Sequence, residues 1–323
     1  MPKLIVLMFH GVVKDIPEYA VWRGGRTCLL RASDFERVVR WCDHRYRILR
    51  LSEVEEFLCS GSNETAILLT FDDALASVAD WAVKTLATHG ASAAVFVTTD
   101  WTRGGRTPTI FLLERDLWTR TPSTVRIESC EKEFTASITS RRDLQAVVGR
   151  IWSFLLSSET APLALDSTQV TLDGAPWRLD GIPESREFWF PASVDELRRG
   201  VDEGIFEIGS HGVTHIPWTM LPQAELQEEL LRSKEELEQT FQVPVESCSY
   251  PNGLVDPHVA KEVGEIYRLA FTSQPAMAVP TTEKTQLPRI HVPSGRPLWM
   301  GGLIRRQRTA AALRRAARLV GVQ

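Results

Sequence analysis

Two adjacent carboxylates, Asp72 and Asp73, close one apolar run, and far downstream two imidazoles, His211 and His215, follow another. The first run, Ala66-Ile67-Leu68-Leu69-Thr70-Phe71, is short and β-prone, which predicts a buried strand. Carboxylates at the C-terminal end of such a strand sit where α/β folds put their chemistry. Phe206-Glu207-Ile208-Gly209-Ser210 repeats the arrangement ahead of the histidines. One carboxylate with two histidines is a ligand set for a divalent ion, with positions left for water and substrate. The other carboxylate is then a candidate general base, and the combination points to metal-dependent hydrolysis. Adjacent aspartates on a strand point to opposite sides, so both can serve one centre only where the chain turns at the strand end. Taken alone, the Asp-Asp pair could instead cap the following helix, and histidines four apart often share a surface with no metal.

The elements that would position these groups can be read along the chain. A length of 323 residues allows one large α/β barrel or two modest domains. A net charge of −4 argues against general nucleic-acid affinity. Five scattered cysteines with no CxxC pair read as reduced thiols and a cytoplasmic protein. Leu4 to Phe9 is too short for a secretory core and reads as the first strand. Strand-like runs alternate with helical patterns, which predicts a parallel sheet with outer helices. Capping boxes at Ser33–Glu36 and Ser52–Glu55 predict helices near 34–45 and 53–59. A helix follows Asp73 as far as His89, and Ala93 to Thr98 is a strand. Ser193 caps a helix ending near Gly204. Pro222 to Phe241 is an acidic amphipathic helix with Leu226, Leu230 and Leu237 on one face. Asp256-Pro257 opens another helix, and strands are expected at 247–250, 269–271 and 289–292.

Between about 101 and 187 the rhythm breaks. Helices near 110–119 and 141–157, alternation at 124–128 and a hairpin-like stretch over 170–177 read as an inserted subdomain leaving the C-terminal end of a strand. Trp101, Trp118, Trp152, Trp177 and Trp189 lie in or beside it, as a core of its own or as the lining of a sugar groove or acyl slot. Residues 301–323 form an arginine-rich, helix-compatible tail, which packs on the barrel or rests weakly on an anionic membrane.

Thr70-Phe71-Asp72-Asp73, Ser210-His211-Gly212-Val213-Thr214-His215 and Ser249-Tyr250-Pro251-Asn252-Gly253 resemble, in order, the first three motifs of the polysaccharide deacetylase family, the NodB-homology or carbohydrate esterase 4 group. Phe9-His10-Gly11-Val12 and Leu287-Pro288-Arg289-Ile290-His291-Val292 resemble further segments. The resemblance spans roughly residues 3 to 295 and implies an α/β fold, a distorted (β/α) barrel. It implies that Asp73, His211 and His215 hold a divalent ion, zinc first, with cobalt or nickel as alternatives. It implies that Asp72 takes the proton of the attacking water, that the Asn252 N–H is an oxyanion donor, and that His291 is the acid releasing the amine. The arginine that often leads the third motif and orients the base is replaced here by Ser249. Arg289 is the candidate substitute, because the last strand of a closed barrel lies beside the first; the alternative is a surface ion pair. His10, Tyr250 and Pro251 are the substrate-binding candidates, with a structural role open for His10. The implied activity is removal of an acetyl or other short acyl group from a sugar, an N-acetyl amino sugar in a glycan or glycan precursor. The alternative is a non-catalytic carbohydrate-binding or regulatory barrel that keeps the metal site.

Overall fold

The computed structural model describes residues 1–16, 29–104, 109–129, 132–156, 169–177 and 189–292. Its strands are β1 (Lys3–Phe9), β2 (Gly11–Val13), β3 (Leu29–Arg31), β4 (Arg47–Leu49), β5 (Thr65–Phe71), β6 (Ala93–Val97), β7 (Ser123–Ser129), β8 (Lys132–Ile138), β9 (Val170–Leu172), β10 (Ala175–Pro176), β11 (Phe206–Ser210), β12 (Ser247–Ser249), β13 (Leu269–Phe271) and β14 (Ile290–His291). The helices are α1 (Ala32–Asp43), α2 (Val54–Cys59), α3 (Ala76–Thr88), α4 (Thr99–Gly104), α5 (Thr109–Thr119), α6 (Arg141–Leu156), α7 (Val194–Asp202), α8 (Gln223–Phe241) and α9 (Pro257–Ile266).

The main sheet is parallel, in the order β13-β12-β11-β6-β5-β1-β14, with β4 on the N-terminal half of β5. The last strand lies beside the first, Leu7 opposite Ile290 and Met8 opposite His291. A parallel bridge between Phe271 and Leu287 links the two ends of that order, so the sheet curls into a distorted barrel. Strand alternation divides the apolar side chains. Ile5, Leu7, Ile67, Leu69, Val95 and Val97 belong to the large core shared with the helices. Leu4, Val6, Ala66, Leu68, Ala94 and Phe96 form a second set with α2 residues Val54, Phe57 and Leu58, which fills the barrel from below. Side chains in register with that inner set, but one layer higher, include Thr70, Asp72, His211, Ser249 and Arg289. The period of two thus aims the polar groups into the mouth of the barrel.

Trp101, Trp177 and Trp189 are buried in a separate core with residues of α5, β7, β8, α6 and β9, and Trp118 and Trp152 pack against it. Two of the tryptophan N–H groups are used internally: Trp152 Nε1 donates to Glu114 Oε1 at 2.7 Å, and Trp177 Nε1 to Asp116 Oδ2 at 2.9 Å. The expected hairpin turns at Asp173-Gly174, both at positive φ. β8 was not expected. Its alternation of buried and exposed residues completes an antiparallel sheet with β7.

Three local expectations need correction. α1 starts at Ala32 after Arg31, so Ser33 lies inside the helix and not at its cap. A short 3₁₀ turn over Leu51–Glu53 precedes α2, which displaces Ser52 from the capping position. The helix expected directly after Asp73 starts only at Ala76, because Asp73 and Ala74 both turn at positive φ. Ser193 and Asp256 do cap their helices, through Glu196 N–H and Val259 N–H. The described cysteines Cys42, Cys59 and Cys248 are free thiols. Among the described residues no helix is long and apolar enough to cross a membrane. The basic tail, Cys28 and Cys130 lie outside the described residues.

Candidate metal centre and active site

Asp72 continues the inward alternation of β5, and its N–H donates to Phe9 O of the neighbouring strand. A continuing strand would send Asp73 outward. Instead Asp73 adopts φ +70° and Ala74 φ +49°, which swings the second carboxylate toward the same mouth. His215 (φ +64°) and Asn252 (φ +56°) share this left-handed conformation. Each such non-glycine residue costs on the order of 1–3 kcal/mol, and that strain falls on the motif loops.

Asp73, His211 and His215 meet at the mouth, all buried, with one ligand atom from each lying within 4.8 Å of the others. His215 Nε2 lies 3.2 Å and His211 Nε2 3.6 Å from Asp73 Oδ1. That oxygen is buried and makes no hydrogen bond. His211 Nδ1 lies 2.8 Å from Ser249 O, an acceptor only, so Nδ1 carries the proton and Nε2 keeps its lone pair toward the centre. Burial pushes the His211 imidazole down to about 4, against the opposing pull of Asp72, so it is neutral at neutral pH. Burial pushes the Asp73 carboxyl up, but His215, then His10 and His211, outweigh it and hold it low. Two imidazoles and an ionised carboxylate, with an orphaned buried oxygen between them, fit a divalent ion of the zinc, cobalt or nickel type.

Asp72 does not join that cluster. Arg289, 1% exposed, clamps it with two parallel bonds, Nη1 to Oδ1 at 2.6 Å and Nη2 to Oδ2 at 2.7 Å. Ser249 Oγ–H donates to Asp72 Oδ1 at 3.2 Å and accepts from Arg289 Nη2 at 3.0 Å. Arg289 Nε donates to Thr272 O, and its guanidinium lies over the Phe96 ring, 5.6 Å from the centroid. Gly209 leaves room for that ring, since a Cβ there would meet it at 2.5 Å. Burial raises the Asp72 carboxyl, but the Arg289 guanidinium, with help from His211, holds it well below the usual carboxylate range. The short Ser249 side chain on β12 thus sits where Arg289 reaches in from the last strand. The alternative of a surface ion pair for Arg289 is excluded by its burial.

His10 and His291 close β1 and β14 with ring centroids 6.1 Å apart. Both are half-buried, and His10 Nδ1 is buried without a hydrogen-bond partner. The expectation of a substrate-facing Tyr250 is corrected. Its ring is fully buried against Trp218 and its hydroxyl donates to Thr285 O at 2.6 Å. Burial then pushes the phenol far above its usual range. Pro251 is buried too, so neither side chain offers a substrate surface. Asn252 has an exposed side chain and a left-handed backbone.

Two features of the centre escaped the sequence. Trp101, in α4, stacks on the His215 ring at 5.0 Å and 19°. Glu229, on the buried face of α8, accepts hydrogen bonds from the loop between the two histidines. Its signal was a lone acid among Leu226, Leu230 and Leu237 at helical spacing.

The fold and site together define a class: a parallel barrel carrying a buried Asp-His-His centre beside an arginine-held carboxylate at the C-terminal ends of its strands. The family model described as polysaccharide deacetylase matches residues 184–266 of the chain. No curated protein matches the chain by sequence. In fold it is similar to a polysaccharide deacetylase from Bacillus cereus, at 18% identity and a TM-score of 0.59, covering 94% of this chain and 69% of that one. It is also similar to the Streptococcus pyogenes deacetylase PplD in complex with acetate, at 14% identity and a TM-score of 0.60, covering 94% and 97%. A de-N-acetylase from Aggregatibacter actinomycetemcomitans is similar at 12% identity and a TM-score of 0.51, covering 89% and 94%.

Proposed function

We propose that this protein is a metal-dependent hydrolase that removes an acetyl or other short acyl group from a sugar, foremost from an N-acetyl amino sugar in a glycan or glycan precursor. One observation carries the reading: a three-donor centre of Asp73, His211 and His215 stands beside a carboxylate, Asp72, held apart from it by Arg289. A purely carbohydrate-binding barrel has no use for a second carboxylate fixed in this way. The acetate in the S. pyogenes neighbour and the de-N-acetylase label of another support an acetyl group on nitrogen.

Asp73, His211 and His215 would hold the ion, zinc first, which when bound polarises the acyl oxygen and makes water nucleophilic at neutral pH. Asp72 takes the proton of the attacking water. Its clamp fixes the accepting oxygens and keeps the group ionised through the neutral range, at some expense of basicity. The Asn252 N–H supplies a backbone donor for the developing oxyanion, independent of its side chain. His291 protonates the departing amine. A second assignment of that acid has its own support: His10 has a buried, unpartnered Nδ1 and lies close enough to both aspartates to lower their carboxyls.

The inserted segment narrows the mouth and favours a chain end or a small conjugate over a long polymer. The support is its attachment. Thr99 N–H and Asp100 N–H bond to Gly212 O and Val213 O, while Ala192 N–H and the carbonyl of Phe190 bond to Ala74 and Ala76. The free thiols Cys42, Cys59 and Cys248 support a reducing, cytoplasmic setting and a nucleotide- or lipid-linked sugar. The test is a panel of N- and O-acetylated sugars and short oligosaccharides given to zinc-loaded protein, with acetate and free amine measured. Release of both from at least one N-acetylated member is expected. Folded, metal-bound protein that releases acetate from none would overturn the reading.

A further inference from the structure

Glu229 is a buried acid, 7% exposed, on the face of α8 that also buries Leu226, Leu230, Ser233 and Leu237. Among the described residues it makes no ion pair, which is unusual for a buried carboxylate. Its oxygens are taken up by Val213 and Thr214, in the span of chain between His211 and His215. Oε2 accepts from Val213 N–H at 2.7 Å, and Oε1 accepts from Thr214 Oγ–H at 2.5 Å and Thr214 N–H at 3.2 Å. Gly212 has no Cβ and sits at φ +81°; a Cβ there would come within 2.9 Å of Glu229 Oε2. The carbonyl side of the same span is held by Thr99 and Asp100 N–H, and His211 N–H is held by Val97 O. The loop therefore has its Val213 and Thr214 N–H groups on Glu229 and its Gly212 and Val213 carbonyls on α4. His215, strained at φ +64°, emerges from it directly opposite Asp73.

We propose that Glu229 is a positioning residue for the metal centre: by gathering the Val213 and Thr214 donors it sets the spacing between His211 and His215. The inference rests on the proposed metal site and adds a residue that touches neither ion nor substrate. A carboxylate suits this task because one group accepts three donors from a tight turn, and charged acceptors hold such donors more strongly than neutral ones. A glutamine keeps the reach but turns one acceptor into a donor facing N–H groups. An alanine leaves the loop donors to water or to nothing.

The test measures zinc affinity by chelator competition, and the visible spectrum of the cobalt-loaded protein, in the parent, Glu229→Gln and Glu229→Ala. Circular dichroism at the same temperature reports folding. Partners behind metal ligands typically contribute 10- to 100-fold in affinity, so Glu229→Ala should weaken zinc by about that factor and alter the cobalt bands. Glu229→Gln should fall between it and the parent. At saturating zinc, kcat should recover more in the glutamine than in the alanine variant. A role in stability alone would lower the melting temperature while leaving zinc affinity and the cobalt spectrum unchanged. Either variant with native circular dichroism and the parent's zinc affinity overturns the proposal, and should alanine fail to fold, glutamine decides alone. A parent protein that binds no zinc would instead refute the metal site on which the proposal rests.

Discussion

Replacing Arg289 by alanine would strip both parallel bonds from Asp72 and leave a carboxylate buried without its cation. Removing one partner of such a pair costs about 3–5 kcal/mol, because the remaining charge has lost its compensation. At roughly 2–4 °C per kcal/mol for a chain somewhat smaller than this one, the melting temperature should fall by on the order of 10 °C. Ser249 Oγ and Thr70 Oγ1, which also contact the guanidinium, would lose a donor at the same time. Freed of its clamp, Asp72 can shift by an ångström, and displacements of that size cost about 100-fold in rate. Zinc content should stay near the parent's, since Arg289 contacts none of Asp73, His211 and His215. The pH dependence has a definite sign. In the parent the Asp72 carboxyl is held far below its unfolded value, so its contribution is present above about pH 4 and lost only on further acidification. In the variant burial acts unopposed by the guanidinium and the carboxyl moves up, so the variant is relatively relieved as pH falls. The gap in melting temperature should thus be widest near neutrality and narrow toward pH 4. Arg289→Lys, with charge but no fork, should lie between the two. Differential scanning calorimetry across that range, with initial rates at pH 7, makes the measurement. An alanine variant with the parent's stability and rate at neutral pH would refute the claim that Arg289 holds the base.

Asp72→Asn should retain zinc and lose on the order of 10² to 10⁴ in rate, checked by elemental analysis beside turnover; full activity would remove Asp72 from the base role. His291→Ala should lose most on substrates with poor leaving groups. If His10→Ala shows that selectivity and His291→Ala does not, the acid belongs to β1. Trp101→Leu should keep the fold and speed zinc loss to a chelator, because the stacked ring no longer restrains His215; an unchanged off-rate would confine Trp101 to packing.

Much of the site was legible because strand-end chemistry leaves a local record. An apolar run, then Asp72-Asp73 or His211 through His215, needs no distant information. Arg289 was legible one step further, since barrel closure sets the last strand against the first. Tyr250 was misread because a motif position says nothing about which face its side chain takes; β12 alternation turns Ser249 inward and Tyr250 into the helix-packed core. Ser33 and Ser52 matched a capping pattern, yet the chain entered each helix elsewhere, at Ala32 and through the turn at Leu51–Glu53. β8 was overlooked because its alternation, Phe134, Ala136 and Ile138 buried, is diluted by threonine, serine and charge. Glu229 was hidden for a different reason. Helical periodicity counts apolar residues, and a buried acid in that stripe is explained only by the donors of a loop that reaches it through the fold.

The most direct test of the central claim is a titration of metal-free protein with zinc in which bound metal and acetate release from an N-acetylated sugar are followed on the same sample. The account predicts activity rising in proportion to occupancy and saturating at about one ion per chain, the stoichiometry of a single three-ligand site. It also predicts that Asp73→Ala, His211→Ala and His215→Ala each abolish tight binding and activity together. Acetate release that is complete before zinc is added, or undiminished metal in all three variants, would contradict it.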